Sequence, residues 1–156
     1  MTTNTRTRIV RARRLGAAED GFTLIELLVV IMIIGILAAI ALPGFLRYQL
    51  KGQDSNAKSD ARNMVSQLSS CYEENDGYIG CTARLTAAET GLPVGPGPGE
   101  VRITSETASG YEIEATSRGR SGGVNHTFTV SYDPLTGVVH DCGVRGEGGC
   151  PVGGDW

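Results

Sequence analysis

Hydrophobic and polar positions divide this chain into stretches of different period. Residues 22–42 form an apolar block in which Glu26 is the only ionisable side chain, and residues 27–42 carry no charge at all. Twenty-one residues at about 1.5 Å rise make roughly 31 Å of helix, enough to cross a hydrocarbon core of about 30 Å. A lone acid in such a block is costly, about 2.5–3.5 kcal/mol at the bilayer centre and less near the end of the span. Glu26 lies one turn from the start of the block, so it predicts a cationic partner, most naturally from another chain. Pro43 removes one intrahelical hydrogen bond and clashes with the preceding turn, which predicts a helix kink there, in a weak zone with Gly35 and Gly44.

From residue 45 to about 74 the helical pattern continues but becomes amphipathic. Ala57, Ala61, Met64, Leu68 and Cys71 follow a 4-3-4-3 spacing and share one face. Lys51, Asp54, Lys58, Asp60 and Arg62 read as mostly the opposite, solvated side, with Asp54 and Lys58 four apart in the favourable order for an ion pair. Asn75-Asp76-Gly77 is a stop and turn signal, so the whole helix spans about fifty residues. Residues 77–99 read as irregular, with a helical turn at 87–90 and a stiff GLPVGPGPG loop at 91–99. Four alternating stretches follow, at 101–104, 111–116, 126–132 and 137–141. Short connections between them predict a four-stranded antiparallel meander. Its apolar face (Val101, Ile103, Tyr111, Ile113, Ala115, Phe128, Val130, Tyr132) would cover the helix stripe. The fold class is therefore α+β: one long N-terminal helix packed on an antiparallel sheet.

Charge sharpens this picture. Residues 1–21 hold five Arg and two acids, net +3, whereas the remaining residues hold nine basic and fifteen acidic side chains, net −6. Such a split keeps the N-terminus cytoplasmic and exports the rest, and the acidic balance of the exported part argues against direct nucleic-acid binding. Four Cys and twenty-two Gly in a small exported domain point to disulfides, and four Cys allow three pairings that spacing does not separate.

The run Gly21-Phe22-Thr23-Leu24-Ile25-Glu26-Leu27-Leu28, followed by the apolar stretch and Pro43, strongly resembles the N-terminus of type IV pilins and pseudopilins, and is similar to that of a type IVa-like prepilin with an N-terminal methylation motif. The likeness is dense over residues 21–48, weaker over 51–72 and architectural beyond. It implies a leader at residues 1–21 cut by a prepilin peptidase between Gly21 and Phe22, N-methylation of Phe22, a transmembrane and filament-core helix at 22–44, and an extracytoplasmic head at 45–156. It implies assembly of the subunit with itself through Phe22 and Glu26, Glu26 of one copy facing the Phe22 amine of another. An inner-membrane assembly platform is the further partner. The localisation implied is the cytoplasmic membrane as a single-pass protein, then an extracellular pilus. It also suggests, from the C-terminal loop of many type IVa pilins, a Cys142–Cys150 disulfide, which leaves Cys71 for Cys81. Two other readings remain. A pseudopilin of a type II secretion or competence system has the same N-terminus, and Ala39-Ile40-Ala41 resembles a signal-peptidase site that would release a soluble binding domain after Ala41.

Nothing in the sequence assembles an enzyme or calls for a cofactor. His126 and His140 sit on expected strands and read as half-exposed sheet residues, and Glu112 and Glu114 alternate onto a solvent face. The Pro/Gly loop lacks the N–H donors of a phosphate loop. The Cys spacing does not suit zinc, and Asp133, Asp141 and Asp155 match no calcium loop. Asn125-His126-Thr127 fits a glycosylation sequon at a strand start. Phe22, Phe45, Tyr48 and Tyr72 read as packing and interfacial anchors rather than as an electron path.

Overall fold

A computed structural model describes residues 21–156; of the leader expected at residues 1–21, residues 1–20 lie outside them. The chain divides into two units, one ending at Ala38 and the other running Ala39–Trp156. Helix α1 (Leu24–Asn75) runs through both and is continuous across Pro43, whose missing N–H leaves the Ala39 carbonyl without its usual donor. α1 stops where Asp76 takes a positive φ of 53°, a conformation that Asp tolerates better than most residues. Two short helices follow, α2 (Cys81–Arg84) and α3 (Ala87–Thr90). The sequence anticipates the second of these and not the first.

The sheet is the expected meander. Strands β1 (Glu100–Glu106), β2 (Tyr111–Ser121), β3 (Val124–Asp133) and β4 (Gly137–Cys142) lie in the order β1-β2-β3-β4, all antiparallel. Its inner face meets α1 as the alternation requires. Val101, Ile113, Ala115 and Phe128 are fully buried against Ala61, Met64 and Leu68, and Ile103 and Tyr132 pack at the margin. At about 1.5–3 kcal/mol for each large apolar side chain buried, this seam is the main stabilising term of the head.

β2 and β3 are longer than their hydrophobic runs. Beyond Thr116 the inward positions are Ser117 and Gly119, both buried, so the alternation continues in residues that carry no hydrophobic signal. A Cβ on Gly119 would stand 2.8 Å from Asp54 Oδ1 and 3.1 Å from Ser117 Oγ, so only Gly lets the strand pass this close to α1. Gly122 and Gly123, with φ of 59° and 85°, close the hairpin. Positive φ at both central residues is the requirement of a tight two-residue turn.

The Pro/Gly loop shields the edge of β1. Val94 bridges Val101, whose N–H donates to the Pro93 carbonyl at 2.8 Å, and the Gly97 N–H donates to the Glu100 carboxylate at 2.7 Å. Disulfides join Cys71 to Cys81 and Cys142 to Cys150, with Cα separations of 6.1 and 5.9 Å. The first ties the end of α1 to α2; the second ties the end of β4 to the loop after it.

Candidate functional site

Two features stand out, one in each unit. The first is the start of α1. The Thr23 hydroxyl accepts the Glu26 N–H at 3.3 Å, and the Thr23 N–H and hydroxyl donate to Glu26 Oε2 at 2.9 and 2.7 Å. This is a reciprocal capping box, which satisfies helix-terminal donors that would otherwise be orphaned. Glu26 therefore has a local hydrogen-bonding role in the single chain that the sequence reading does not assign to it. From Phe22 to Leu42 every side chain is exposed, Phe22 at 89% and Ile40 at 75%. α1 is long and apolar enough in this part to cross a membrane. An apolar strip of this length standing bare in a folded chain marks a membrane or protein contact.

The second feature is a buried polar clasp. Asp54 and His126 are both 0% exposed. Asp54 Oδ2 lies 2.7 Å from His126 Nδ1 and accepts the Gly149 N–H at 2.7 Å, while His126 Nε2 lies 2.8 Å from Ser121 Oγ. An ionised carboxylate only accepts, so a proton on Nδ1 completes that contact, and the Ser121 hydroxyl, which also lies 3.4 Å from Glu147 Oε2, partners Nε2. Lys58 Nζ donates to the Gly149 carbonyl at 2.6 Å and stands over the Phe128 and Trp156 rings at 5.1 and 5.3 Å. Burial, and after it the Arg62 guanidinium, lowers the Lys58 pKa below the ordinary lysine range, with Asp54 opposing. Four pieces of chain meet here: α1, the β2–β3 hairpin, β3 and the C-terminal loop. Gly148, at φ 54°, passes so close that a Cβ would collide with Asp54 Oδ2 and the His126 ring.

The clasp corrects the sequence reading at three places. Asp54 is not on the solvated side of α1 but extends the buried stripe one turn towards the N-terminus. Lys58 reaches Gly149 rather than pairing with Asp54. His126 is not half-exposed but fully buried on the inner face of β3. The period holds the signal for two of these: 54 precedes 57 by three, and 126 precedes 128 by two. An acid continuing an apolar helical stripe and a histidine continuing an apolar strand face are each under pressure to find a polar partner.

The other sequence-derived residues are less concentrated. His140 is half-buried and stacks on Trp156 at 4.9 Å. Asp141 receives Arg145 at 3.0 Å, and among the described residues no cluster of three His, Cys, Asp or Glu stands ready for a metal. The Asn125 amide donates to the Ser117 carbonyl at 2.8 Å. The four aromatics do not act as one group. All four are exposed, Tyr72 least at 38%, and Tyr72 alone also enters a chain of rings through Tyr78 and Tyr111 to Tyr132, with centroids 4.7, 5.0 and 5.8 Å apart.

The described chain is thus an exposed apolar helix opening on a capped acid and a disulfide-tied α+β head, the class of protein whose helix is left bare for a membrane or protein contact. Residues 17–42 match the prokaryotic N-terminal methylation motif. The chain is 34% identical over 131 residues to a fimbrial protein of Pseudomonas aeruginosa, covering 80% of this chain and 85% of that one. It is 39% identical over 111 residues to the type IV major fimbrial protein FimA of Dichelobacter nodosus, covering 63% and 71%. It is also 28% identical over 134 residues to the type II secretion system core protein G of Pectobacterium carotovorum subsp. carotovorum, covering 82% and 85%. A match to the type IV major pilin protein PilA of Myxococcus xanthus (strain DK1622), 42% identical over 69 residues, covers 44% of this chain and spans only 31% of that protein. No solved structure matches. The chain belongs to the type IV pilin family, whose members are structural subunits and not enzymes. Although Asp54, His126 and Ser121 stand in the hydrogen-bond order of a hydrolase triad, their place here is that of an internal clasp.

Proposed function

We propose that this chain is the precursor of a type IV pilus-like filament subunit. A prepilin peptidase cuts between Gly21 and Phe22, and the new Phe22 amine is methylated. The mature chain rests in the cytoplasmic membrane by residues 22–42 with its head on the far side. The assembly platform then withdraws it, and copies pack their apolar helices into a filament core. The observation that carries this reading is the bare strip from Phe22 to Leu42, present although the head closes its own core from residue 54 onward. Such a strip is stable only in lipid or against its own kind.

Glu26 has a defined task in this scheme. Leaving lipid for a helix bundle, its carboxylate exchanges part of the Thr23 cap for the Phe22 amine of a neighbouring copy, a charge pair in low dielectric that sets axial register. The mature chain is expected to begin at Phe22, as read by N-terminal sequencing. A start at Leu42 would mean release of a soluble domain instead and would overturn the proposal. Glu26→Ala is expected to insert and be processed as the parent is, yet to yield few sheared filaments. Filament yield equal to the parent's would remove Glu26 from assembly.

The secretion pseudopilin is the second reading, favoured by the similarity to the type II core protein over 82% of this chain. Immunogold labelling separates the two: long surface filaments carrying this chain support the pilus, and a short envelope-spanning assembly supports the pseudopilus.

A further inference from the structure

The clasp leaves a groove beside it. By accepting the Gly149 N–H, Asp54 holds the C-terminal loop against α1, and between them opens a cavity of about 630 Å³ lined by Arg47, Tyr48 and Lys51 of α1 and by Gly146, Glu147 and Gly148 of the loop. Arg47 and Lys51 stand one helical turn apart on one face, exposed, and make no ion pair among the described residues. Glu147 is the one acid in this lining, with its carboxylate 3.4 Å from Ser121 Oγ, so the groove holds two cations to one acid.

The far end of the same helix has the opposite character. Glu74 is neutralised by Arg84 at 2.6 Å. Glu106 is held by the Gly80 and Thr82 N–H groups and the Thr82 hydroxyl. Glu73 is exposed and makes no hydrogen bond or ion pair among the described residues. Lys51 and Glu73 are 22 residues apart in α1, which is about 33 Å along the axis and only about 40° around it. They point to nearly the same side of one rod, too far apart to meet within a chain.

We infer that the Arg47–Lys51 groove receives Glu73 of a second copy lying parallel, displaced along the helix axis by about 33–39 Å and turned about that axis by roughly half a revolution, so that its acid faces the groove. The contact joins two different surfaces of identical chains, so it propagates without closing, which is the geometry of a filament. Charge complementarity selects the occupant: the groove is net cationic, and a parallel copy displaced along the axis and turned by roughly half a revolution presents a free acid to it. The inference rests on the filament reading and adds a head-to-head contact to the packing of the apolar helices. Its acids and bases lie on the rim, where opposite charges guide docking and like charges oppose it.

The test uses the full-length chain expressed in its own filament-forming cells. Arg47→Glu/Lys51→Glu and, separately, Glu73→Lys are each expected to be processed and to accumulate in the membrane like the parent, while sheared-filament yield falls about tenfold or more, because like charges then face each other. Combining all three substitutions restores the pairing with reversed polarity and is expected to recover filaments. Parent-like yield from Arg47→Glu/Lys51→Glu would overturn the contact. So would a triple variant no better than the double one, the outcome expected if the cations serve anionic lipid headgroups instead. Absence of filaments from the parent chain in the same cells would reject the filament reading itself, and this contact with it.

Discussion

Asp54→Ala is expected to lower the unfolding free energy of the head by about 3–5 kcal/mol. The substitution leaves the fully buried His126 Nδ1–H and the half-buried Gly149 N–H without acceptors, and an unsatisfied buried donor costs about 1–3 kcal/mol. It also frees Gly149, and with it the Lys58 ammonium that Gly149 holds over Phe128 and Trp156. One term opposes the loss. Asp54 Oδ1 is buried with no donor among the described residues, and removing the carboxylate removes that defect. Asp54→Asn keeps one acceptor in place and should lose less. Urea unfolding of the detergent-solubilised chain reports the effect through Trp156, the single tryptophan, whose indole packs edge-on against Phe128 at 5.6 Å. A loss under about 1 kcal/mol would show that the clasp adds nothing net to stability.

Cys142→Ser/Cys150→Ser is expected to cost about 2.5–3 kcal/mol by loop-closure entropy alone, and more in practice because the loop it closes supplies Gly148 and Gly149 to the clasp. The Cys71–Cys81 bridge closes a loop of similar length, yet it anchors α2 and has no part in the Asp54 contacts. Its removal should therefore fall at the loop-entropy value. Coupling distinguishes the two. With Asp54→Ala already present, cutting Cys142–Cys150 should cost clearly less than in the parent, since the loop is no longer pinned, whereas cutting Cys71–Cys81 should cost the same in both backgrounds. Strict additivity for Cys142–Cys150 in the same urea series would mean that loop and clasp are independent.

Periodicity carried much of this protein in plain sight. The step from an unbroken apolar run to a 4-3-4-3 stripe marks where α1 ceases to be bare and begins to pack, and Ala57 to Cys71 are buried as that stripe requires. The four strands and their order follow from alternation and turn residues. Legibility failed where a position was inward-facing without being hydrophobic. Ser117 and Gly119 continue β2 through small residues, and Asp54 and His126 continue a helix stripe and a strand face through groups that a hydropathy pattern assigns to solvent. Among the two four-residue helices, α3 shows in its Ala87-Ala88-Glu89 run of strong helix formers, whereas Cys81-Thr82 at the start of α2 gives no such signal.

What the chain's order of residues determined by itself is local and repetitive: a span long enough for a bilayer, an acid one turn inside it with Thr23 three residues before, a helix with one apolar face, and a meander of four strands. Those properties depend on neighbours within a few positions, where backbone geometry alone sets which side chains share a face. Tertiary structure decided which polar groups meet. Asp54, Ser121, His126 and Gly149 are brought together only when α1, the hairpin, β3 and the C-terminal loop close on one another, and the Arg47–Lys51 groove exists only because that closure holds the loop beside the helix. Hydrogen bonds between residues 72 and 95 positions apart leave no periodic trace, because their partners are chosen by the folded arrangement of whole elements and by the cost of burying a carboxylate without a donor.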